Sequence, residues 1–321
     1  MKRRSTSVAA LVLLSAIASH LNAQDLDFRL QQIISVYDLT APSCESQQNH
    51  DLSLSTAGEK LFETKLLSGG EDSGCSTCHL EEKALTDGLP ISVGVGGVGE
   101  GLERMSALTG ILVPRNSFTL FARGLEEYSA YFWDGKIQVL EDGQIVSPFG
   151  EELSKKFHSP LSVAAILPLV ARDEFLGEKA IFDEPENLII NKFYYQEKYD
   201  AATNFYRDLI FFSEQPELQE IRNSLESAGI SFESFELADI GNSLASFLIG
   251  GFSCFETSWS KYLTGDKAQL DEEQKRGAIT FFGKGRCAAC HAGPLFSDFG
   301  YHSIGTPQGG FGVSALGQDL G

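Results

Sequence analysis

Two five-residue stretches constrain this chain more than anything else in it: Cys75-Ser76-Thr77-Cys78-His79 and Cys287-Ala288-Ala289-Cys290-His291. Two thiols three positions apart, followed at once by an imidazole, form the signature of covalent c-type haem attachment. Each thiol adds to one vinyl group of the porphyrin, and the adjacent His reaches the iron as its proximal ligand. Zinc would need two further ligands beside each pair, and no neighbouring Cys-x-x-Cys or His-x-x-x-His supplies them. A redox disulfide would leave the His unexplained both times. The pentads therefore predict two c-type haems, one on Cys75, Cys78 and His79 and the other on Cys287, Cys290 and His291.

Haem attachment of this kind agrees with the N-terminus, which has the form of a secretory leader. Lys2, Arg3 and Arg4 are followed by an apolar run from Val8 to Ala18 and then by small residues. The run is too short to span a bilayer. Cleavage after Ala23 fits best, with Ala18 as the alternative, giving a leader over 1–23 and a periplasmic mature protein. Losing the three basic residues takes the formal charge from −19 to −22. Such acidity excludes nucleic acid and anionic membrane as partners, because both would repel the chain. It suits a basic electron donor, and equally it serves solubility alone. Of six cysteines, Cys44 and Cys254 fall outside the pentads. In an oxidising compartment leftover cysteines tend to pair, but nothing in the sequence brings these two together, so the bond stays open.

The approaches to the pentads repeat. Ser55 to Phe62 precedes the first and Leu270 to Phe282 the second, each reading as a helix with Ser55 or Asp271 as N-cap. Each has a Gly, Gly58 or Gly277, four residues before a Phe, which in cytochrome c folds lets the helix approach another closely. Apolar spacing predicts further helices over Pro160–Leu169, Lys198–Phe212 and Glu233–Phe247. Ile91–Gly101 is glycine-rich and contains Gly94-x-Gly96-x-x-Gly99. With no strand-turn-helix pattern around it, the stretch reads as a flexible loop rather than a nucleotide site.

From about Leu54 onward the chain resembles the bacterial di-haem cytochrome c peroxidase family, which includes the MauG enzymes. The landmarks occur in order: the first pentad, Pro114-Arg115-Asn116-Ser117, Phe132-Trp133-Asp134-Gly135-Lys136, Pro168 to Phe175, and the second pentad running into Ala292-Gly293-Pro294-Leu295-Phe296-Ser297-Asp298. The resemblance implies a mainly α fold with two cytochrome c-like haem domains. The first, peroxidatic, spans 24–255 with helical insertions; the second, for electron transfer, spans 256–321 and is incomplete at its C-terminal end. It implies that the first haem meets hydrogen peroxide while the second passes it electrons from a small cytochrome c or cupredoxin. Trp133 then bridges the haems, and a calcium ion between domains takes Asn116 as a ligand. A homodimer is compatible with the family. The distal carboxylate, six residues after Pro168, is Glu174; Glu151 and Glu152, after Pro148, are weaker candidates. A carboxyl in an apolar pocket can carry the proton that O–O cleavage moves between the peroxide oxygens.

Two departures from the family bear on chemistry. Typical members carry a His after the first pentad that closes the resting haem, and Leu80–Gly101 has none. The first haem is therefore expected open without prior reduction, as in the MauG-like branch. The chain also stops 30 residues after His291, ahead of where the second haem's outer ligand would lie, and so reads as a fragment or a truncated product. His302 in this stretch fits a loop or propionate contact, and His50 and His158 have no motif around them. Three functions follow in order: peroxide reduction to water, MauG-like oxidation of a protein side chain, and electron carriage without catalysis.

Overall fold

A computed structural model of the chain describes residues 25–305 except 49, 114, 178–191 and 255. The leader read at 1–23 and the chain end after 305 lie outside the described residues. The fold is mainly helical, as expected, and its described residues divide into two compact units: 44–254 with 303–305, and 25–43 with 256–302. Residues 25–43 thus group with the second pentad, not with the first as the sequence boundary at 24–255 had it. Helices α1 (25–37), α2 (Leu52–Glu63), α3 (Pro160–Ile166), α4 (Lys192–Phe212), α5 (Pro216–Ser227), α6 (Leu237–Phe252), α7 (Ser258–Leu263) and α8 (Glu272–Phe282) carry most of it.

The larger unit is built around α6, which buries residues on nearly every side, from Leu237 through Ala245 to Leu248. Two glycines set its neighbours' distances. On α2, a Cβ at Gly58 would lie 2.0 Å from the Ser243 carbonyl oxygen of α6. On α6 itself, a Cβ at Gly241 would lie 2.3 Å from the Ser162 carbonyl oxygen of α3. Helix α2 buries Leu54, Ala57, Gly58, Leu61 and Phe62, the i, i+3, i+4 stripe of a one-sided helix. Each of its large side chains contributes roughly 1.5–3 kcal/mol of burial. Its cap is Asp51, whose carboxylate accepts from the Ser53 and Leu54 amides, not Ser55. The carboxylate at that end also meets the positive pole of the helix dipole. Asp271 caps α8 as expected.

Three short strands, β1 (Ala130–Tyr131), β2 (Ile137–Val139) and β3 (Ile145–Val146), form an antiparallel meander beside these helices. Tyr131 pairs with Ile137, so Phe132 to Lys136 form the hairpin loop. Gly135 sits there at φ 61°, where an L side chain would be strained. Cys44 and Cys254 are joined by a disulfide that ties the two ends of the unit together.

The smaller unit packs Leu30, Tyr262 and Leu270, with Leu39, Phe282 and Ala288 beside them. Trp259 stacks on Phe282, ring centroids 5.9 Å apart. Asp27 of α1 accepts from the Tyr262 hydroxyl at 2.7 Å and pairs with Lys275 of α8 at 2.8 Å, which fixes α1 to the helix before the second pentad. Gly277, the counterpart of Gly58, has nothing within 4 Å of its would-be Cβ. The close approach expected there is absent among the described residues.

Candidate functional site

Both pentads fold into a single helical turn. Cys75–Cys78 is one α-turn and Cys287–Ala289 one 3₁₀ turn, each closed by the His amide donating to the first Cys carbonyl, at 3.0 and 2.9 Å. The turn sets the two sulfurs near one side of the backbone with the imidazole following. His79 Nδ1 lies 2.8 Å from the Leu85 carbonyl oxygen, and His291 Nδ1 lies 3.1 Å from that of Phe296. A carbonyl can only accept, so Nδ1 carries the hydrogen and Nε2 keeps its lone pair for a metal. The two accepting residues share a further property: Leu85 (φ 55°) and Phe296 (φ 54°) are both left-handed. That conformation costs an L residue roughly 1–2 kcal/mol, and at both sites it belongs to the residue whose carbonyl receives the imidazole.

The surroundings of the pentads differ. His79 is enclosed by the rings of Phe62 and Phe118, at 6.5 and 6.2 Å, and Phe132 meets Phe118 edge-on at 5.6 Å. Burial holds His79 below the ordinary imidazole value, the neutral form an iron ligand needs. Burial also pushes the Cys75 thiol up to about 12 and the Cys78 thiol up to about 11. Thiolate chemistry, whether zinc binding or disulfide exchange, needs the opposite shift; thioether formation removes the ionisable group. His291 and Cys287, in contrast, are exposed. The Cys290, Asp298 and His302 ligand atoms lie within 4.8 Å of one another. His302 is already held by Asp298 at 2.8 Å, and haem attachment would take the sulfur of Cys290. The residues present fit haem at both pentads.

Glu174 lies on a π-helical turn, Arg172–Leu176, that follows the Pro168–Val170 turn. Tyr206 of α4, wholly buried, donates to the Leu169 carbonyl at 2.6 Å and anchors the segment. Glu174 is exposed, yet its carboxyl is held above the ordinary carboxylate range. Desolvation by surrounding protein is the main cause; Lys136 opposes it and Asp173 adds to it. The turn that carries Glu174 is bonded through the Phe175 carbonyl to the Gly69 amide, six residues before Cys75, and through the Asp173 carbonyl to the Val95 amide. Glu151 and Glu152, the alternatives, are exposed as Glu174 is, but both pair with Lys155 at 2.9 Å.

Trp133 sits in the β1–β2 loop, 42% exposed, with the Arg115 guanidinium 4.1 Å over its ring. Asn116 next to Arg115 is exposed. Ser117 matters more locally than its neighbours: its hydroxyl donates to the Cys78 carbonyl at 2.8 Å and accepts from the Asp87 amide at 2.9 Å. In the sequence Ser117 is only the end of the Pro114–Ser117 landmark and Tyr206 only one residue of a helix, since a Ser and a helical Tyr carry no pattern that marks such bonds. The glycine-rich stretch departs from the flexible loop expected. Ser92 to Val95 and Gly97 are buried, and the whole turn is gathered around one side chain, Arg104.

The sequence profile described as di-haem cytochrome c peroxidase matches residues 54–268. Cytochrome-c peroxidase IdrP1 of Pseudomonas sp. (strain SCT) is 25% identical over 251 residues, covering 78% of this chain and 49% of that protein. Methylamine utilization protein MauG of Methylorubrum extorquens is 25% identical over 252 residues, covering 78% and 53%. The chain thus spans about half the length of these relatives. A MauG-like protein associated with microbial copper homeostasis superposes at TM-score 0.47 with 20% identity, covering 81% of this chain and 57% of that one.

Proposed function

Because the chain belongs to the di-haem cytochrome c peroxidase family, we propose that it reduces hydrogen peroxide to water at the haem site of the first pentad. The observation that carries this reading is Glu174, an acid held above the ordinary carboxylate range on a turn bonded to Gly69, just before Cys75, and to Val95. A site meant only to carry electrons has no use for a proton-active group there. When bound, the haems supply the redox chemistry of O–O cleavage and one-electron storage. The protein's part is to hold and move the proton. Ionised Glu174 accepts one from the incoming peroxide and returns it to the departing oxygen, so that water leaves in place of hydroxide. His79, turned by the Leu85 carbonyl, would hold the haem iron through Nε2. Trp133 is the bridge for electrons that a small cytochrome or cupredoxin delivers to the second pentad. The Arg115 cation against its indole disfavours a lasting positive charge on the ring, so Trp133 passes electrons on. Asn116, exposed, is the proposed calcium ligand, and the 1–23 leader sends the protein to the periplasm.

The absence of His from Leu80–Gly101 would leave the first haem open at rest, as in the MauG-like branch, and says nothing of the substrate, so MauG-like oxidation of a protein side chain is the second reading. Stopped-flow mixing of the haem-loaded protein with peroxide tests the first reading. Glu174→Gln should slow haem oxidation by about 10²–10⁴-fold, the usual worth of acid–base assistance. A wild-type rate in that variant would end the assignment of Glu174.

A further inference from the structure

The side chain of Arg104 is 2% exposed and spends all its donors on the loop beside the first pentad. Its Nε donates to the Val93 carbonyl at 2.7 Å. Nη2 donates to the Gly94 carbonyl at 2.6 Å and the Ser73 hydroxyl at 2.7 Å. Nη1 reaches the carbonyls of Gly97, Asp72 and Gly99 at 3.0, 3.2 and 3.2 Å. The Asp72 carboxylate, 3.9 Å away, supplies the counter-charge and also accepts from the Gly96 amide at 2.7 Å. These acceptors come from two places only: the residues that run into Gly74 and Cys75, and the glycine-rich stretch 93–99.

The other side of that stretch carries the Glu174 turn. The Val95 amide donates to the Asp173 carbonyl at 3.1 Å. A Cβ at Gly94 would lie 1.9 Å from the Asp173 carbonyl oxygen and 3.2 Å from Glu174 Cα, so only glycine permits this contact. The Gly69 amide donates to the Phe175 carbonyl at 2.8 Å. The turn bearing Glu174 is thus clamped between Gly69 and Gly94–Val95, and one guanidinium ties Gly94 to the approach to Cys75.

We propose that Arg104 is the positioning residue of this site, fixing where the Glu174 carboxyl stands relative to the first haem-attachment pentad. The proposal rests on Glu174 acting as the proton-transfer group. The requirement is geometric. A planar fork with five N–H groups can satisfy acceptors all round the loop, whereas an ammonium offers three donors from one atom. The loop therefore needs Arg at 104, not merely a cation. Since a misplacement of about 1 Å can cost 10²-fold in rate, loosening this clamp should be felt in proton transfer even if every haem ligand stays in place.

The test uses the haem-loaded full chain with hydrogen peroxide, comparing Arg104→Lys, Gly94→Ala, Glu174→Gln and the Arg104→Lys/Glu174→Gln pair. The charges that act on Glu174 are Lys136 and Asp173, and none of these variants changes either of them. Arg104→Lys should slow haem oxidation by about 10²-fold and flatten the same acid limb of the pH profile that Glu174→Gln removes. The double variant should match Glu174→Gln within about twofold, the mark of two residues acting in one function. A lowered melting temperature with a wild-type rate and pH profile would make Arg104 structural only and overturn the proposal, as would additive losses in the double variant. If Arg104→Lys does not fold, Gly94→Ala decides: it leaves the guanidinium alone and displaces the turn, and a wild-type pH profile there overturns the proposal. If Glu174→Gln reacts at the wild-type rate, it is the distal-acid reading that fails. Amide exchange at 172–176 then judges Arg104 independently, faster exchange in Arg104→Lys supporting the clamp and unchanged exchange refuting it.

Discussion

Gly58 and Gly277 hold the same place in the two repeats and should respond oppositely to one added methyl group. At Gly58 the new Cβ would stand 2.0 Å from the Ser243 oxygen, 2.6 Å from the Ser243 carbonyl carbon and 2.9 Å from Phe247 Cβ. The first two are backbone atoms of α6 and cannot rotate away. To reach even 3.0 Å from that oxygen, α2 and α6 must part by about 1 Å along their contact, since side chains cannot absorb it. Overpacking of a well-filled core costs typically 1–3 kcal/mol, and a displaced helix pair belongs at the upper end. The helix-propensity gain of Ala over Gly returns roughly 1 kcal/mol, leaving a net loss of about 2 kcal/mol. For a cooperative unit of this size, that lowers the melting temperature by roughly 4–8 °C. At Gly277 nothing lies within 4 Å, so Gly277→Ala keeps only the propensity term and should stabilise by about 0.5–1 kcal/mol. Urea unfolding of both variants, followed by far-ultraviolet circular dichroism and haem absorbance, gives the two numbers. A Gly58→Ala variant within about 0.5 kcal/mol of wild type would refute the close-approach argument. So would a Gly277→Ala variant destabilised as much as Gly58→Ala.

Denaturing mass spectrometry of the exported protein should show the chain cleaved after Ala23 plus two haem masses; one haem or none would contradict the reading of the pentads. Ferric protein should show a high-spin electron paramagnetic resonance signal that His79→Gly removes, and a wholly low-spin spectrum would mean some side chain closes the first haem. Replacing both Cys44 and Cys254 with Ser should cost up to about 5 kcal/mol for a loop of 210 residues in the chain-entropy model, read as a drop in urea midpoint without a matching loss of haem. The peroxide reaction needs ionised Glu174. Since desolvation raises that carboxyl, the rate should fall as pH drops through a value above the ordinary carboxylate range. In Glu174→Gln this limb should vanish, and an unchanged limb would assign it to another group.

What could be read in the sequence was what is local in the chain. The pentads, the Asp271 cap, the α2 stripe with Gly58 and the spacing from Pro168 to Glu174 each depend on residues within one turn or two of each other. The cap of α2 was misplaced by four residues because Ser55 and Asp51 are both good caps, and only the depth of Leu54 in the core selects the earlier start. The disulfide was undecidable for a different reason: 210 residues separate its partners, and only the finished unit brings their Cα atoms to 5.4 Å. Helix α5 and the three short strands were not foreseen at all. The strands have two or three residues each, too few to show an alternation.

Arg104 shows a deeper limit. Its hydrogen-bond partners, apart from the Ser73 hydroxyl, are backbone carbonyls, which every residue possesses, so no pattern of side-chain types marks their convergence. The glycines at 94, 96, 97 and 99 were visible and were read as freedom, since glycine widens what a backbone can do. Glycine also permits contact. At Gly94 and Gly97 the missing Cβ makes room, in one case for the Asp173 carbonyl and in the other for the Arg104 side chain itself, 2.5 Å from where a Cβ would stand. A run of glycines followed within ten residues by an Arg in an otherwise apolar neighbourhood is therefore ambiguous between a loose loop and a loop wrapped on a guanidinium. Charge burial separates the two. An Arg almost never lies at 2% exposure unless its five donors are satisfied. A charge change at Arg104 should accordingly be far more damaging than one at the exposed Arg276, whose partner is Glu272 on its own helix.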